Sequence, residues 1–225
     1  MTTVLVVDDQ SLIRQAVADI LSSEADLEVV GEAVDGAQAV ALARELRPDV
    51  VLMDIRMPVL DGIGATTAIC ADPDLADTRV LILTTFEEDE NLIATLRAGA
   101  SGFIGKGSEP EEIVRAVRAV HAGDALLSPA ATRSLITKYV VAADEPTSPR
   151  PVPAELALLT ERELEVLLLV ARGRSNQQIA DDLVISPHTS KTHVNRIMTK
   201  VAAHDRAQLV ILAYESGLLR PGADD

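Results

Sequence analysis

The chain is poor in aromatic residues, with two Tyr, two Phe and no Trp among its 225 residues. Proteins that bind RNA or single-stranded nucleic acid commonly stack bases on aromatic side chains, so this composition argues against that class. Hydrophobic residues nevertheless make up 48% of the chain, which is enough for a packed interior. We therefore expect an aliphatic core, in one large domain or two small ones.

Cysteine and long apolar runs are also scarce. The single cysteine, Cys70, cannot form an intrachain disulfide and is expected to pack as a small apolar residue. The longest strongly apolar run, residues 166–171, is far shorter than the roughly 20 residues that span a bilayer. Asp8 and Asp9 stand where a signal peptide would be apolar. The sequence therefore predicts a soluble, cytoplasmic protein without a membrane partner.

Positive charge is scarce overall, but it is unevenly distributed. The net charge is −15, and residues 1–124 hold 23 acidic and nine basic residues, whereas residues 159–225 hold nine and eight. Within the second group, residues 186–200 carry Lys191, Arg196 and Lys200 and no acidic residue. A basic stripe on a nearly neutral domain is typical of a nucleic-acid contact.

The first half alternates short apolar runs with amphipathic stretches, which predicts alternating strands and helices. The predicted strands are residues 4–7, 28–33, 50–53, 80–84 and 102–104; the predicted helices are 11–21, 36–46, 62–70, 89–98 and 108–121. We expect the last helix to begin with a capping box formed by Ser108 and Glu111, with Pro110 in its first turn. This alternation predicts an α/β domain over residues 1–122, with a flavodoxin-like parallel sheet in the order 2-1-3-4-5.

The second half contains helical patterns only. Residues 123–155 are expected to be a linker, with a short helix at 128–141 and a proline-rich stretch. Residues 156–220 predict an all-α domain of four helices, which begin after Thr160, after Ser175, after Ser186 and at Asp205. A short turn at Val184 and Ile185 joins the second helix to the basic third one, as in a helix-turn-helix.

Polar side chains follow four of the predicted strands. Asp8 and Asp9 follow the first strand and Asp54 follows the third, so the three carboxylates meet at the topological switch point. Their mutual repulsion favours a bound divalent cation, Mg²⁺ or Mn²⁺, beside an Asp nucleophile. Thr84 and Lys106 follow the fourth and fifth strands and can stabilise phosphoryl charge. Each residue alone has an ordinary explanation as a cap, turn or surface residue, but together they predict a phosphoacceptor site at Asp54.

The runs VLVVDDQSLIR, VVLMDIRMPVLDGI, LILTTF and AGASGFIGK resemble the receiver domain of bacterial two-component response regulators, over residues 3–121. The resemblance implies phosphorylation of Asp54 by a sensor histidine kinase. It implies that Asp9 binds the metal directly, that Asp8 assists and that the backbone carbonyl of Arg56 completes the protein ligands.

The same resemblance implies that Thr84 and Phe103 form the switch pair and that Lys106 binds the phosphoryl group. The chain departs from the family pattern at Gly105 and Gly107, which flank Lys106. Because glycine adds backbone freedom, we hypothesise that Lys106 is held less firmly than in relatives.

The third helix of the second domain carries side chains that suit a major groove, with Lys191 for guanine or phosphate and Asn195 for adenine. The run LTERELEVLLLVARGRSNQQIADDLVISPHTSKTHVNRIMTKV resembles the LuxR-type helix-turn-helix, and the whole chain resembles the NarL/FixJ class. The resemblance implies base contacts from Lys191, Thr192 and Asn195. It implies DNA-backbone contacts from Asn176, Gln177, Thr189, Lys200 and Arg206. Two departures are Asn195, often basic in relatives, and Ser190, where Val is usual.

The sequence thus predicts a DNA-binding transcription regulator that is switched by phosphorylation, forms a homodimer when phosphorylated or on DNA, and is not an enzyme. Two alternatives remain open at this stage. One is a regulator that binds DNA without phosphorylation, and the other is an adaptor that does not bind DNA, in keeping with the net charge of −15. A phosphatase with an Asp nucleophile is disfavoured because the chain lacks a substrate-binding cap.

Overall fold

The structure, a computed structural model, describes residues 1–84, 94–123, 154–203 and 206–219. These residues belong to two compact units. None of the helices in the described ranges combines the length and the apolar content that a bilayer crossing requires.

The first unit is a five-stranded parallel sheet in the order β2-β1-β3-β4-β5. The strands are β1 (Thr2–Val7), β2 (Leu27–Ala33), β3 (Val50–Asp54), β4 (Arg79–Thr84) and β5 (Gly102–Gly105). The helices are α1 (Ser11–Ser22), α2 (Gly36–Leu46), α3 (Gly62–Cys70), α4 (residues 94–97) and α5 (Pro110–His121). The predicted fold and strand order are confirmed. Residues 89–93 of the predicted fourth helix lie outside the described residues.

The core of this unit is aliphatic, as its composition predicts. Strands β1, β3 and β4 contribute fully buried Val and Leu side chains, among them Val4, Val6, Leu52 and Leu81. Helix α5 covers this face with an apolar stripe that includes Val117. Strand β3 is buried along its whole length, which explains its continuous apolar sequence.

The start of α5 differs from the prediction. The helix begins at Pro110, its N-cap is Glu109, and no side chain caps it, so the expected capping box of Ser108 and Glu111 is wrong. The reason is local: proline suits the first helical position and pushes the residue before it into extended backbone, here with ψ of 146° at Glu109. Ser108 instead lies in a turn, where its N–H donates to the Gly105 carbonyl at 3.0 Å.

The second unit consists of helices, after a short 3₁₀ turn at Ala154–Leu158. They are α6 (Glu161–Ala171), α7 (Asn176–Leu183), α8 (Pro187–Lys200) and α9 (Arg206–Glu215). The predicted starts of the first three are confirmed, with capping boxes of Thr160 with Glu163 and of Ser175 with Gln178, and an N-cap at Ser186. The predicted start of the fourth, Asp205, lies outside the described residues. Helix α6 packs against α8 and α9, and α7 packs against α8.

The turn between α7 and α8 is tight and unusual in its backbone. Val184 adopts the left-handed conformation, with φ of 55°, and its side chain is 91% exposed. The N–H of Ile185 donates to the Ala180 carbonyl at 2.9 Å and closes the end of α7. A β-branched residue rarely adopts this conformation, so the turn geometry is imposed by its surroundings.

Candidate functional site

The first candidate site lies at the carboxyl edge of the sheet, where β1 and β3 end. Asp8 is fully buried, Asp54 is 5% exposed and Asp9 is exposed. One carboxylate oxygen from each of the three lies within 4.8 Å of the others. The three acidic residues that the sequence singles out are therefore brought together, and their oxygen ligands and spacing fit a hard divalent cation.

Lys106, just beyond β5, reaches into the same cluster. Its Nζ lies 2.8 Å from Asp8 Oδ2 and 2.8 Å from Asp54 Oδ2, and its side chain is 8% exposed. Its backbone N–H donates to the Thr84 carbonyl at 2.7 Å, which fixes the chain immediately after β5 to the end of β4. The structure thus places a buried ammonium between two buried carboxylates.

These neighbours alter the acid–base properties of the cluster. Burial raises the pKa of Asp54 above its ordinary value, and the charge of Asp8 adds to the effect against the opposing pull of Lys106. Burial disfavours the Lys106 ammonium, but hydrogen bonds to Asp54 and Asp8 outweigh it and raise the pKa of Lys106. The lysine therefore stays charged at neutral pH and compensates part of the carboxylate charge.

The backbone around Asp54 and Asp8 holds each carboxylate in place. Asp54 Oδ1 accepts from the Ile55 N–H at 2.8 Å, and Asp8 Oδ1 accepts from the Gln10 N–H at 2.8 Å. Gly62, at the start of α3, approaches so closely that a Cβ there would lie 2.0 Å from the Asp54 carbonyl oxygen. Only glycine fits this position without moving the backbone of the phosphoacceptor candidate.

The other predicted residues of this site also lie around it. Thr84 is the last residue of β4 and is 6% exposed, and Phe103 on β5 is 4% exposed and pairs in register with Ile82. Arg56 follows β3 by two residues and is exposed. A Cβ on Gly107 would meet no atom within 4 Å, so packing does not require glycine there.

The second candidate site is the exposed side of α8. Lys191 and Asn195 are exposed and lie one helical turn apart, and Thr192 and Thr189 are half-buried beside them. The opposite side of the helix is buried, with Ser190, Val194 and Ile197 facing the core. The polar groups proposed to meet base edges therefore share one accessible helix face.

Four of the residues predicted to contact the DNA backbone, Asn176, Gln177, Lys200 and Arg206, are already bonded within the unit. Arg206 Nη1 donates to Asn176 Oδ1 at 2.9 Å, and its Nη2 donates to the Arg174 carbonyl. Lys200 Nζ lies 2.6 Å from Glu163 Oε2. Gln177, on the exposed first turn of α7, donates to Asp181 within its own helix at 2.9 Å.

Comparisons with known proteins identify the family of each unit. A family model described as the response regulator receiver domain matches residues 4–118, and one described as bacterial regulatory proteins of the luxR family matches residues 157–213. The chain belongs to the LuxR-family response regulators.

Full-length relatives support this assignment. The response regulator is 37% identical to the transcriptional regulatory protein LiaR of Bacillus subtilis over 219 residues, which cover 97% of this chain and 100% of that protein. It is 39% identical to the response regulator protein VraR of Staphylococcus aureus over 217 residues, which cover 96% and 98%. The chain is therefore a DNA-binding transcription regulator of the two-component type, as the sequence predicts.

Solved structures show the same architecture. The response regulator ChrA of a heme-sensing two-component system aligns with a TM-score of 0.51 and 31% identity, over 96% of this chain and 98% of that one. The receiver domain of a response regulator NarL from Mycobacterium tuberculosis aligns with a TM-score of 0.52 and 40% identity, over 54% of this chain and 97% of that one.

Sequence reasoning missed several residues that shape the two sites of this response regulator. Arg14 on α1 donates to the Asp8 carbonyl at 2.7 Å, and Arg162 on α6 donates to the Leu183 carbonyl at the end of α7 at 2.9 Å. Glu163 accepts a hydrogen bond from Lys200, and Gly62 allows the start of α3 to approach the backbone of Asp54 closely. The Asp61–Gly62 pair after β3 is a usable signal for Gly62, whereas the partners of Arg162 and Glu163 lie 21 and 37 positions away in sequence.

Proposed function

We propose that this response regulator is switched by phosphorylation of Asp54 by a sensor histidine kinase, and that Mg²⁺ or Mn²⁺ assists. The observation that carries the proposal is the placement of Lys106 Nζ at 2.8 Å from both Asp54 and Asp8. An ammonium held between two buried carboxylates is positioned to neutralise the negative charge that a phosphoryl group brings.

The transfer step follows from the position of the Asp54 carboxylate. One of its oxygens attacks the phosphorus of the donor phosphohistidine, so a P–O bond forms as the P–N bond breaks. The ring nitrogen of the donor histidine keeps the electron pair of the broken bond. The histidine is then left as neutral imidazole, with a single N–H proton on the ring. Asp9, Asp8, Asp54 and the Arg56 carbonyl would hold the cation, which would supply positive charge beside the incoming phosphoryl oxygens. Lys106 then pairs with a phosphoryl oxygen.

The switch would use Thr84, at the end of β4, and Phe103, on the neighbouring strand β5. Thr84 donates its hydroxyl to the phosphoryl group and the Phe103 ring follows it inward, which couples the pocket to the β4–β5 side of the receiver. The phosphorylated form then dimerises and presents two copies of α8 to half-sites of promoter DNA. Slow hydrolysis of the phosphoryl group on Asp54 resets the protein, which acts in the cytoplasm.

The mouth of the pocket also supports a protein phosphodonor. Leu12 at the start of α1 and Val59 in the β3–α3 loop follow Asp9 and Asp54 closely in the chain, and they are 82% and 85% exposed. Large apolar side chains exposed beside a polar site commonly mark a contact surface. We propose that a kinase domain that delivers a phosphoryl group to Asp54 buries both of these side chains.

The division of the chain belongs to the same proposal. We assign residues 1–122 to the receiver, 123–155 to the linker and 156–220 to the DNA-binding domain; most of the linker, including the predicted helix at 128–141, lies outside the described residues. Lys191, Thr192 and Asn195 read bases, whereas Asn176, Gln177 and Thr189 approach the DNA backbone.

Phosphoryl incorporation tests the switch directly. The wild-type chain, Asp54→Ala and the control Asp77→Ala, which removes an exposed carboxylate elsewhere, are treated with acetyl phosphate and Mg²⁺ and weighed intact by mass spectrometry. We expect one added phosphoryl group in the wild type and the control, and none in Asp54→Ala. Equal incorporation in all three proteins would refute the assignment of Asp54.

A further inference from the structure

Lys200, the last residue of the recognition helix α8, is bound to a residue on another helix. Its Nζ donates to Glu163 Oε2 on α6 at 2.6 Å, across 37 positions of sequence. Glu163 lies in the first turn of α6. This contact ties the carboxyl end of the recognition helix to the amino end of the helix that supports it.

The carboxylate of Glu163 is buried and well bonded. Its side chain is 6% exposed, and Oε2 also accepts from the Thr160 N–H at 2.8 Å and the Thr160 hydroxyl at 3.0 Å. The hydrogen bond from Lys200, together with those from Thr160, lowers the pKa of Glu163 to about 2. At neutral pH the group is therefore a buried anion that depends on Lys200 as its cationic partner.

This dependence decides what Lys200 can do on DNA. If Lys200 turned to a phosphate, it would leave a buried carboxylate without its cation, an arrangement that strongly destabilises proteins. We propose that Lys200 is a positioning residue that fixes α8 on α6 and does not neutralise a DNA phosphate, and that Arg196 supplies that charge instead. The inference rests on the DNA-binding output and revises the family-based expectation for Lys200.

Arg196 is better placed than Lys200 to contact a DNA phosphate. It is exposed, and it lies on the same outer side of α8 as Asn195 and Thr199, away from the buried Val194 and Ile197. The major groove is bordered by phosphates on both sides, so a long basic side chain at the edge of the inserted face reaches the DNA backbone. Two residues of the predicted contact set, Thr192 and Thr189, lie one and two turns earlier on this side of the helix, and neither carries a positive charge.

Other contacts hold the helix-turn-helix in the same manner. Arg162 binds the carbonyl of Leu183 at the end of α7, and Arg206 binds the carbonyl of Arg174 before its start. Basic side chains thus fasten both ends of α7 and the end of α8 to neighbouring segments. Removal of Lys200 would therefore make the orientation of α8 relative to α6 less fixed, without changing the charge that faces DNA.

The salt dependence of DNA binding separates the two roles. The full chain is used with a DNA duplex that the wild-type protein selects from a randomised pool. DNA affinity falls as the salt concentration rises, and each phosphate contact makes the slope of log affinity against log salt concentration steeper by about 0.9. We expect Lys200→Met to weaken binding several-fold with an unchanged slope, and Arg196→Met to make the slope shallower by about 0.9 for each copy of α8 on the DNA. A shallower slope in Lys200→Met, or an unchanged slope in Arg196→Met, would overturn the proposal.

Two conservative variants keep the test valid if Lys200→Met folds poorly. Glu163→Gln leaves Lys200 in place but removes its anionic partner. A positioning role predicts weaker DNA binding in this variant at an unchanged slope, whereas a restrained phosphate contact predicts tighter binding and a steeper slope. Lys200→Arg should retain wild-type affinity, because it keeps the ion pair. A wild-type chain that selects no duplex would contradict the DNA-binding output itself, which is a distinct result.

Discussion

The two units of this response regulator use their charged side chains in opposite ways. In the receiver, Asp8, Asp54 and Lys106 are buried together at a strand edge, around the point where a phosphoryl group is proposed to arrive. In the helical unit, Lys200 and Arg206 are bonded to groups of their own chain, although both lie in segments that resemble DNA-contacting ones. The comparison shows that the resemblance of a segment to a ligand-binding one does not by itself assign each of its charged side chains to the ligand, because the partner that the side chain has in its own unit also decides its role.

The largest effect is expected from Lys106, because two buried carboxylates depend on it. Lys106→Met would leave Asp8 and Asp54 without their ammonium and should destabilise the receiver by about 3 kcal/mol in the absence of divalent cations. The free energy of unfolding can be followed by hydrogen exchange of the backbone amides of β1 and β3. Added Mg²⁺ should recover part of the loss, since it supplies positive charge to the same oxygens.

A surface ion pair of the same unit provides the matched control. Arg118 contacts Glu24 and Asp26, and all three side chains are well exposed. Arg118→Met should change stability by less than about 1 kcal/mol, because solvent screens exposed pairs. If the Lys106 and Arg118 variants lose equal stability, the pocket is not the special environment that the comparison requires.

The next effect is a pH dependence in the helical unit. The pKa of Glu163 is lowered from 4.5 to about 2 by Lys200 and Thr160. A carboxylate whose pKa is lowered by folding stabilises the fold fully at pH values above its pKa in the unfolded chain. This stabilisation should therefore be complete above about pH 4.5 and lost as the pH falls towards 2.

Hydrogen exchange of α8 amides in the full chain, at a series of pH values, measures this loss. Glu163→Gln should be less stable than the wild type at neutral pH, and the difference should shrink as the pH falls. Glu165→Gln is the control, because Glu165 is exposed and pairs with Arg162 in the preceding helical turn. A difference between wild type and Glu163→Gln that stays constant with pH would contradict the ion pair.

The smallest effect concerns Ser190, an uncharged departure from the family pattern. Ser190 is fully buried, and its Oγ has no hydrogen-bond partner among the residues that the structure describes. A buried hydroxyl without a partner is destabilising, so Ser190→Val should raise the stability of the helical unit by about 1 kcal/mol.

Ser186, one turn earlier, provides the opposite case. It caps α8 by accepting from the Thr189 N–H at 3.0 Å, so Ser186→Ala should lower stability by about 1 kcal/mol. Thermal unfolding of the full chain, monitored by circular dichroism, compares the two variants. Loss of stability in Ser190→Val would mean that its hydroxyl has a partner in solution.

The fold and the pocket were largely predictable because their signals are local. Apolar runs that end in Asp8, Asp54, Thr84 and Lys106 fix both the strands and the edge at which their side chains meet. The strand order follows from the connection rules of short parallel sheets. The roles proposed for these residues in phosphoryl transfer remain predictions.

The remainder could not be predicted because it depends on distant partners or on backbone imposed by packing. Nothing in the sequence around Lys200 indicates a buried acid 37 positions earlier. The left-handed Val184 is equally hidden, since β-branched residues disfavour that conformation. The N-cap of α5 was misplaced by one residue, at Ser108 and not Glu109, because the spacing of Ser108 and Glu111 matched a capping box, whereas Pro110 set the first turn.

The central claim is that the receiver pocket controls the DNA-binding unit through Asp54. Its most direct test compares the DNA affinity of the wild type and of Asp54→Ala before and after treatment with acetyl phosphate and Mg²⁺, on the duplex selected by the wild-type protein. The account predicts that treatment raises the affinity of the wild type and leaves that of Asp54→Ala unchanged. Equal affinities for both proteins, with and without treatment, would contradict it and would favour a regulator that binds DNA without phosphorylation.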